Sequence, residues 1–116
     1  MNYKVVKELL KRYPQIREVV DLANDYNVDC EECARIFVAL VDSVSNGNGL
    51  KGICFRKHYI EGEDYLTISL DVNVAKSTAH RWVEECVVNL VDALSLVRGF
   101  NVWIDHHFPE LRPLLT

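Results

Sequence analysis

The sequence predicts an all-α fold, a helical bundle with a pair of helices joined by a tight turn in its C-terminal half. Apolar residues recur every three or four positions along most of the chain, which is typical of amphipathic helices. Proline, asparagine and aspartate stand where such helices would begin or end. With 116 residues, 49% hydrophobic and 26% charged, the chain can bury one core, and neither a disordered tail nor a membrane protein fits.

The N-terminal segment, residues 1–46, predicts three short helices. Apolar residues at helical spacing indicate a first helix over about residues 3–13, and Pro14 interrupts it and can start the second. Asn27 stops the second helix, and Asp29 can cap a third. The apolar stripe of the third helix holds Cys33, Phe37, Leu40, Val41 and Val44. We expect this segment either to complete a core with the remainder or to form a face for self-association.

A loop at Ser45–Gly49 is predicted to separate this segment from the second one, residues 50–116, because loop residues of these types tolerate positive φ and pack poorly. The pattern beyond it predicts helices over about residues 50–60, 64–71 and 75–97, with a turn at 61–63 and a stop at Gly99. In the tail, two prolines limit regular structure. We expect Trp103 and Phe108 to anchor the tail to the core or to a partner.

Residues 65–82 carry the four features of a helix-turn-helix. Ser69 is small enough for a close approach of the two helices, Asn73 tolerates the left-handed conformation of the turn, and Val74 can plug it. The second helix has an apolar stripe at spacings of three and four, formed by Ala79, Trp82, Val83 and Cys86. A helix-turn-helix is therefore predicted, followed by the C-terminal tail.

The outward face of that second helix indicates contact with double-stranded DNA. Its candidate DNA-binding residues are Lys76, Ser77, His80 and Arg81. In a major groove such side chains read base edges or hold phosphates. Thr67, Lys57 and His58 lie where the flanking helices could touch the DNA backbone. Because the net charge is −4, binding has to use a local basic face.

These residues also carry a family resemblance over about residues 53–94. The matching positions are Tyr59, Ile60, Glu61, Gly62, Tyr65, Ile68, Ser69, Val74, Ser77, Thr78, Arg81, Leu90 and Leu94. The pattern resembles the fourth conserved region of sigma factors, particularly small phage-encoded transcription activators of the ArpU and RinA type. The resemblance implies a transcription regulator whose second motif helix enters the major groove, and RNA polymerase as a further partner. The sequence departs from that pattern at Ala75, Asn73, Glu84 and Glu85.

Location and cysteine chemistry follow from composition. The N-terminus enters an amphipathic pattern of mixed charge without the apolar segment of a secretory signal, so we expect a cytoplasmic protein. Its four cysteines are then expected to be thiols. The spacings of Cys30, Cys33, Cys54 and His58 are compatible with zinc. The apolar neighbours of Cys33 and Cys54 indicate burial in the core instead, and we expect no metal.

Catalysis has little support in the sequence. There is no phosphate-cradling glycine loop, no nucleophile elbow and no His-Glu-x-x-His motif. Asp105, His106 and His107 stand together near the end of the chain, where exposed surface is the more frequent setting. We therefore expect no catalytic residues, no cofactor and no enzymatic activity.

Two further questions stay open at the level of sequence. An alternative function is a non-enzymatic protein interaction module, such as a phage assembly or packaging adaptor, that keeps the helix-turn-helix fold without DNA. A homodimer is compatible with DNA binding, because helix-turn-helix proteins commonly bind two half-sites.

Overall fold

A computed structural model describes residues 1–27 and 31–115, and within these ranges the chain is helical without any strand. The elements are α1 (Tyr3–Lys11), α2 (Tyr13–Asp25), α3 (Glu32–Gly47), α4 (Gly49–Tyr59), α5 (Tyr65–Val72), α6 (Lys76–Ser95), α7 (Phe100–His107) and a 3₁₀ helix (Pro109–Leu114). The predicted all-α class is confirmed.

Helix α6, the longest, is packed against α1, α3, α4 and α5. The buried apolar residues form one cluster that runs from Val5 in α1 to Leu111 near the C-terminus. Phe37 of α3 lies inside it, with ring centroids 6.4 Å from Tyr13 and 6.3 Å from Phe100. Helices from both predicted segments therefore share one core.

The first two helices agree with their sequence prediction. Asn2 caps α1, because its side-chain oxygen accepts a hydrogen bond of 3.0 Å from the backbone N–H of Val5. Pro14 lies in the first turn of α2, where its missing N–H costs no helical bond. Asn27 adopts the left-handed conformation with φ of +51°, as a helix stop requires. The predicted cap at Asp29 lies outside the described residues.

The loop predicted at Ser45–Gly49 is wrong. Helix α3 continues to Gly47, α4 begins at Gly49, and Asn48 alone stands between them. The polar side chains satisfy helical carbonyls instead of interrupting the helix: Ser45 donates to the Val41 oxygen at 2.9 Å, and Asn48 donates to the Val44 oxygen at 2.8 Å.

Gly52 explains how α3 and α4 can lie so close together after this sharp junction. A Cβ atom at position 52 would stand 2.5 Å from the Ser45 carbonyl oxygen and 2.7 Å from that of Val44. Both distances are far below van der Waals contact, and both atoms belong to the backbone. Only glycine fits here without moving the two helices apart.

The tail is more regular than its prolines predict. Residues 100–107 form α7, and Pro109 opens the 3₁₀ helix, since the first position of a helix does not need the missing N–H. Phe100, Trp103 and Ile104 are buried, which confirms that Trp103 anchors the tail to the core. The side chain of Asn2 donates to the carbonyl of Leu114 and joins the two ends of the chain.

None of the described helices is by itself long and apolar enough to cross a bilayer, although α6 and α7, bent by 104° at their junction, satisfy length and composition together.

Candidate nucleic-acid interface

Helices α5 and α6 are joined by a three-residue turn whose geometry follows from Asn73. This residue is left-handed, with φ of +57° and ψ of +51°, and Val74 N–H then donates to the Ser69 carbonyl at 3.1 Å. Ser69 is buried, and its hydroxyl donates to the Leu66 carbonyl at 2.7 Å. The sequence prediction for both residues is confirmed at the level of conformation and burial.

Asp64 fixes the beginning of α5. Its carboxylate accepts a hydrogen bond of 2.8 Å from the backbone N–H of Thr67, and this bond lowers the pKa of the Asp64 carboxyl. The side chain of Thr67 is exposed on the first turn of α5. No side-chain cap occupies the N-terminus of α6, because Ala75 stands at that position.

The Asp64 cap makes stability depend on pH. A carboxyl whose pKa is lower in the folded than in the unfolded chain stabilises the fold above its unfolded pKa, and the contribution is lost as the pH falls through the folded value. Asp64→Ala should therefore lower the melting temperature at pH 7, and the difference from the unaltered chain should shrink between pH 5 and pH 3. Thermal melts followed by circular dichroism test this. Asp92→Ala, which removes an exposed carboxylate of α6 that caps no helix, should show no such pH dependence.

The first two turns of α6 have a buried and an exposed side. Ala79 and Val83 are fully buried. The exposed residues are Lys76, Ser77, His80 and Arg81, the four that the sequence singles out. Trp82 departs from the predicted inward stripe, because its indole is only partly buried at the edge of the core.

The charged residues of this face differ in their surroundings. Within the part of the chain that the structure describes, no carboxylate lies within 4.0 Å of Lys76. Arg81 Nε lies 3.9 Å from a carboxylate oxygen of Glu85, and His80 Nε2 lies 3.8 Å from one of Glu84. Lys76 lies beyond ion-pair distance of any described carboxylate, although its charge contributes to the lowered pKa of Asp64, whereas His80 and Arg81 face carboxylates one turn further along α6.

A stack of rings holds α4, α5 and α6 together beside this face. The His58 ring lies parallel to the Tyr65 ring, with centroids 4.2 Å apart, and the His80 ring meets Tyr65 edge-on at 4.7 Å. Burial raises the pKa of the Tyr65 phenol, which therefore stays neutral at physiological pH. Sequence reasoning missed this stack because its three members come from three helices and share no spacing.

Lys57 and His58, which the sequence places at the DNA backbone, contact other residues of the chain in the structure. Lys57 Nζ is 3.6 Å from a Glu63 carboxylate oxygen and 3.5 Å from one of Asp71. His58 Nδ1 lies 2.9 Å from the Glu63 carbonyl, so this nitrogen donates the hydrogen bond. Both side chains contact the segment that follows α4, while the four residues of α6, and Thr67 on α5, are the predicted contacts that stay exposed.

The cysteines that could be read as zinc ligands are dispersed through the core. Cys54 and Cys86 are buried, Cys33 is partly buried, and all three are free thiols. Burial raises the pKa of the Cys54 thiol and that of Cys86, the latter to about 11. Cys30 lies outside the described residues. Within the described ranges no three His, Cys, Asp or Glu side chains are grouped so that they could hold a metal ion.

The polar residues of the tail are engaged with neighbouring side chains. His107 Nε2 lies 3.1 Å from a carboxylate oxygen of Glu31, and Arg112 Nε lies 2.5 Å from one of Asp105. His106 contacts the ring of His107 edge-on at 4.9 Å. An open, mainly apolar cavity of about 250 Å³ lies between α2, α3 and α7, and Glu31, His107 and Trp103 are among the residues that line it.

A comparison of the chain with protein-family models, with curated proteins and with solved structures finds no match.

Proposed function

We propose that the chain is a DNA-binding transcription regulator that places the N-terminal two turns of α6 in the major groove. The observation that carries the proposal is the exposure of Lys76, Ser77, His80 and Arg81 on one side of α6, with Ala79 and Val83 buried on the other. Lysine, serine and arginine on one helical face are groups that hold phosphates and read base edges.

The helix pair supports this proposal in two ways. Its turn has a left-handed residue, and Ser69 is small and buried, two features that a helix-turn-helix needs. The uncapped N-terminus of α6 also leaves backbone N–H groups, and the positive end of the helix dipole, beside Lys76 and Ser77. The resemblance to sigma region four favours promoter DNA as the target and RNA polymerase as a further partner.

Substitutions on α6 test the proposal. Arg81→Ala and Lys76→Ala should each weaken binding to duplex DNA and make the slope of log affinity against log salt shallower by about 1, because each removes one phosphate contact. Both residues are exposed, so the free energy of unfolding should change by no more than about 0.5 kcal/mol. Fluorescence anisotropy with a labelled duplex, over a series of salt concentrations, measures the first effect, and thermal melts measure the second.

Matched controls separate a local effect from a general loss of positive charge. Arg98→Ala and Lys4→Ala remove the same charges at exposed positions outside α6. They should leave the affinity within about twofold of the unaltered chain, since a charge beyond the contact surface is largely screened by salt. Equal losses in the controls, or melting of the protein by Arg81→Ala, would contradict the proposed face.

The alternative is a protein interaction module that keeps this fold without DNA, such as an assembly or packaging adaptor. It is favoured by the neutralisation of the basic residues: Lys57 lies between two carboxylates, and Arg81 faces a third. Salt dependence discriminates between the two functions, because phosphate contacts weaken steeply as salt rises. Binding to random duplex that is absent at low salt, or insensitive to salt, favours the adaptor.

A further inference from the structure

Two neighbouring carboxylates on α6 each lie between two basic side chains. Glu84 has one oxygen 3.8 Å from His80 Nε2 on its own helix and 4.0 Å from Lys7 Nζ on α1. Its side chain is partly buried, and burial raises the pKa of the Glu84 carboxyl. The carboxylate of Glu84 thus stands one turn after a candidate DNA contact and beside a lysine from another helix.

Glu85 repeats the arrangement on the other flank of α6. One of its oxygens accepts a hydrogen bond of 2.7 Å from Lys51 Nζ on α4, and the other lies 3.9 Å from Arg81 Nε. The bond from Lys51 lowers the pKa of the Glu85 carboxyl, so this group is ionised at neutral pH. Lys7 and Lys51 therefore flank α6 from α1 and α4: Lys51 is hydrogen-bonded to Glu85, and Lys7 lies 4.0 Å from the carboxylate of Glu84.

This arrangement opposes contact with any phosphate. A phosphate that approaches Arg81 meets the negative charge of Glu85, one of whose oxygens lies 3.9 Å from Arg81 Nε. Lys51 is hydrogen-bonded to the same carboxylate, and Lys7 Nζ lies 4.0 Å from that of Glu84. Since phosphate contacts supply essentially all of the affinity for random duplex, that affinity is the quantity these carboxylates reduce.

We propose that Glu84 and Glu85 limit the affinity of the α6 face for nucleic acid: lying within 4.0 Å of His80, Arg81, Lys7 and Lys51, they suppress binding to random duplex. The inference rests on the proposed function of α6. The inference adds two carboxylates that lower the affinity of α6 for random duplex. It also adds Lys7 of α1 and Lys51 of α4 to the basic residues near this face.

A double variant that replaces both carboxylates by uncharged amides tests the inference on the full chain. Glu84→Gln with Glu85→Gln should bind a random 20-base-pair duplex more tightly than the unaltered chain. About two phosphate contacts are released, so the ratio of its affinities at 50 mM and 200 mM salt should rise by about tenfold. Adding Arg81→Ala to this variant should remove a large part of the gain, because Arg81 is one of the released cations. Circular dichroism melts establish that all variants are folded.

The matched control is Glu18→Gln with Asp25→Asn, which makes the same change in net charge at exposed positions of α2. It should change affinity by less than about twofold. If the unaltered chain binds duplex and the α6 variant gains no affinity, or gains no more than the α2 control, the inference is overturned and the proposed function stands. Binding to random duplex that emerges only in the α6 variant supports the inference, because the two carboxylates then suppress that binding completely in the unaltered chain. Absence of binding in every variant at 50 mM salt overturns both.

Discussion

Gly52→Val is expected to lower the free energy of unfolding by about 3 kcal/mol, because it forces apart two helices whose backbones meet at this position. The first atom of any side chain would stand 2.5 Å and 2.7 Å from the carbonyl oxygens of Ser45 and Val44. Backbone atoms cannot swing away as a flexible side chain can, so α4 has to move as a unit. Valine adds two methyl groups to that clash, and its better helix propensity than glycine, a few tenths of a kcal/mol, does not offset it.

Urea denaturation followed by circular dichroism measures this loss. The matched control is Gly47→Ala, since a Cβ atom at position 47 meets nothing within 4 Å. That substitution should be neutral, or stabilising by up to about 1 kcal/mol, because alanine reduces the entropy of the unfolded chain. A Gly52→Val variant as stable as the control would show that α3 and α4 are not held as closely as described.

Phe37→Ala should cost about 4 kcal/mol of the free energy of unfolding, because it removes one of the largest fully buried side chains. Phe37 is fully buried and its ring lies against those of Tyr13 and Phe100, so the cavity opens between α2, α3 and α7. A cavity lined by three helices cannot close by the movement of one side chain, which keeps the cost near the upper part of the usual range.

The same variant tests whether the first and last helices belong to one cooperative core. Unfolding followed by far-ultraviolet circular dichroism and by tryptophan fluorescence should give one coincident transition at a lower midpoint. Tyr26→Ala, at a position that is 74% exposed, should leave the midpoint nearly unchanged. Two separated transitions in Phe37→Ala, or a loss below 1 kcal/mol, would contradict the shared core.

Local chemistry explains why the α5–α6 region could be predicted from the sequence. The left-handed Asn73 and the small Ser69 act within a few residues of their positions in the chain, so residue type determines the conformation. The burial of Ala79 and Val83 follows from helical periodicity in the same way. The exposed side of α6 that contains Lys76 can therefore be predicted from the sequence alone.

Tertiary contacts explain what could not be predicted. Ser45 and Asn48 have the composition of a loop, yet they lie at a helix junction because their side chains bond to carbonyls one turn earlier. The space that excludes a Cβ atom at Gly52 exists only once α3 and α4 are packed. Lys7 comes beside Glu84 only when α1 lies against α6, at a separation in sequence that no short motif spans.

The position of α6 restricts how the helix pair could be moved between proteins. Its inner face, with Val83, Val87 and Leu90, belongs to the cluster that also contains Val5 of α1 and Val41 of α3. A fragment that begins at the α3–α4 junction would expose the part of that face that α1 and α3 cover. We therefore expect that α5 and α6 cannot be transferred to another chain without the N-terminal helices.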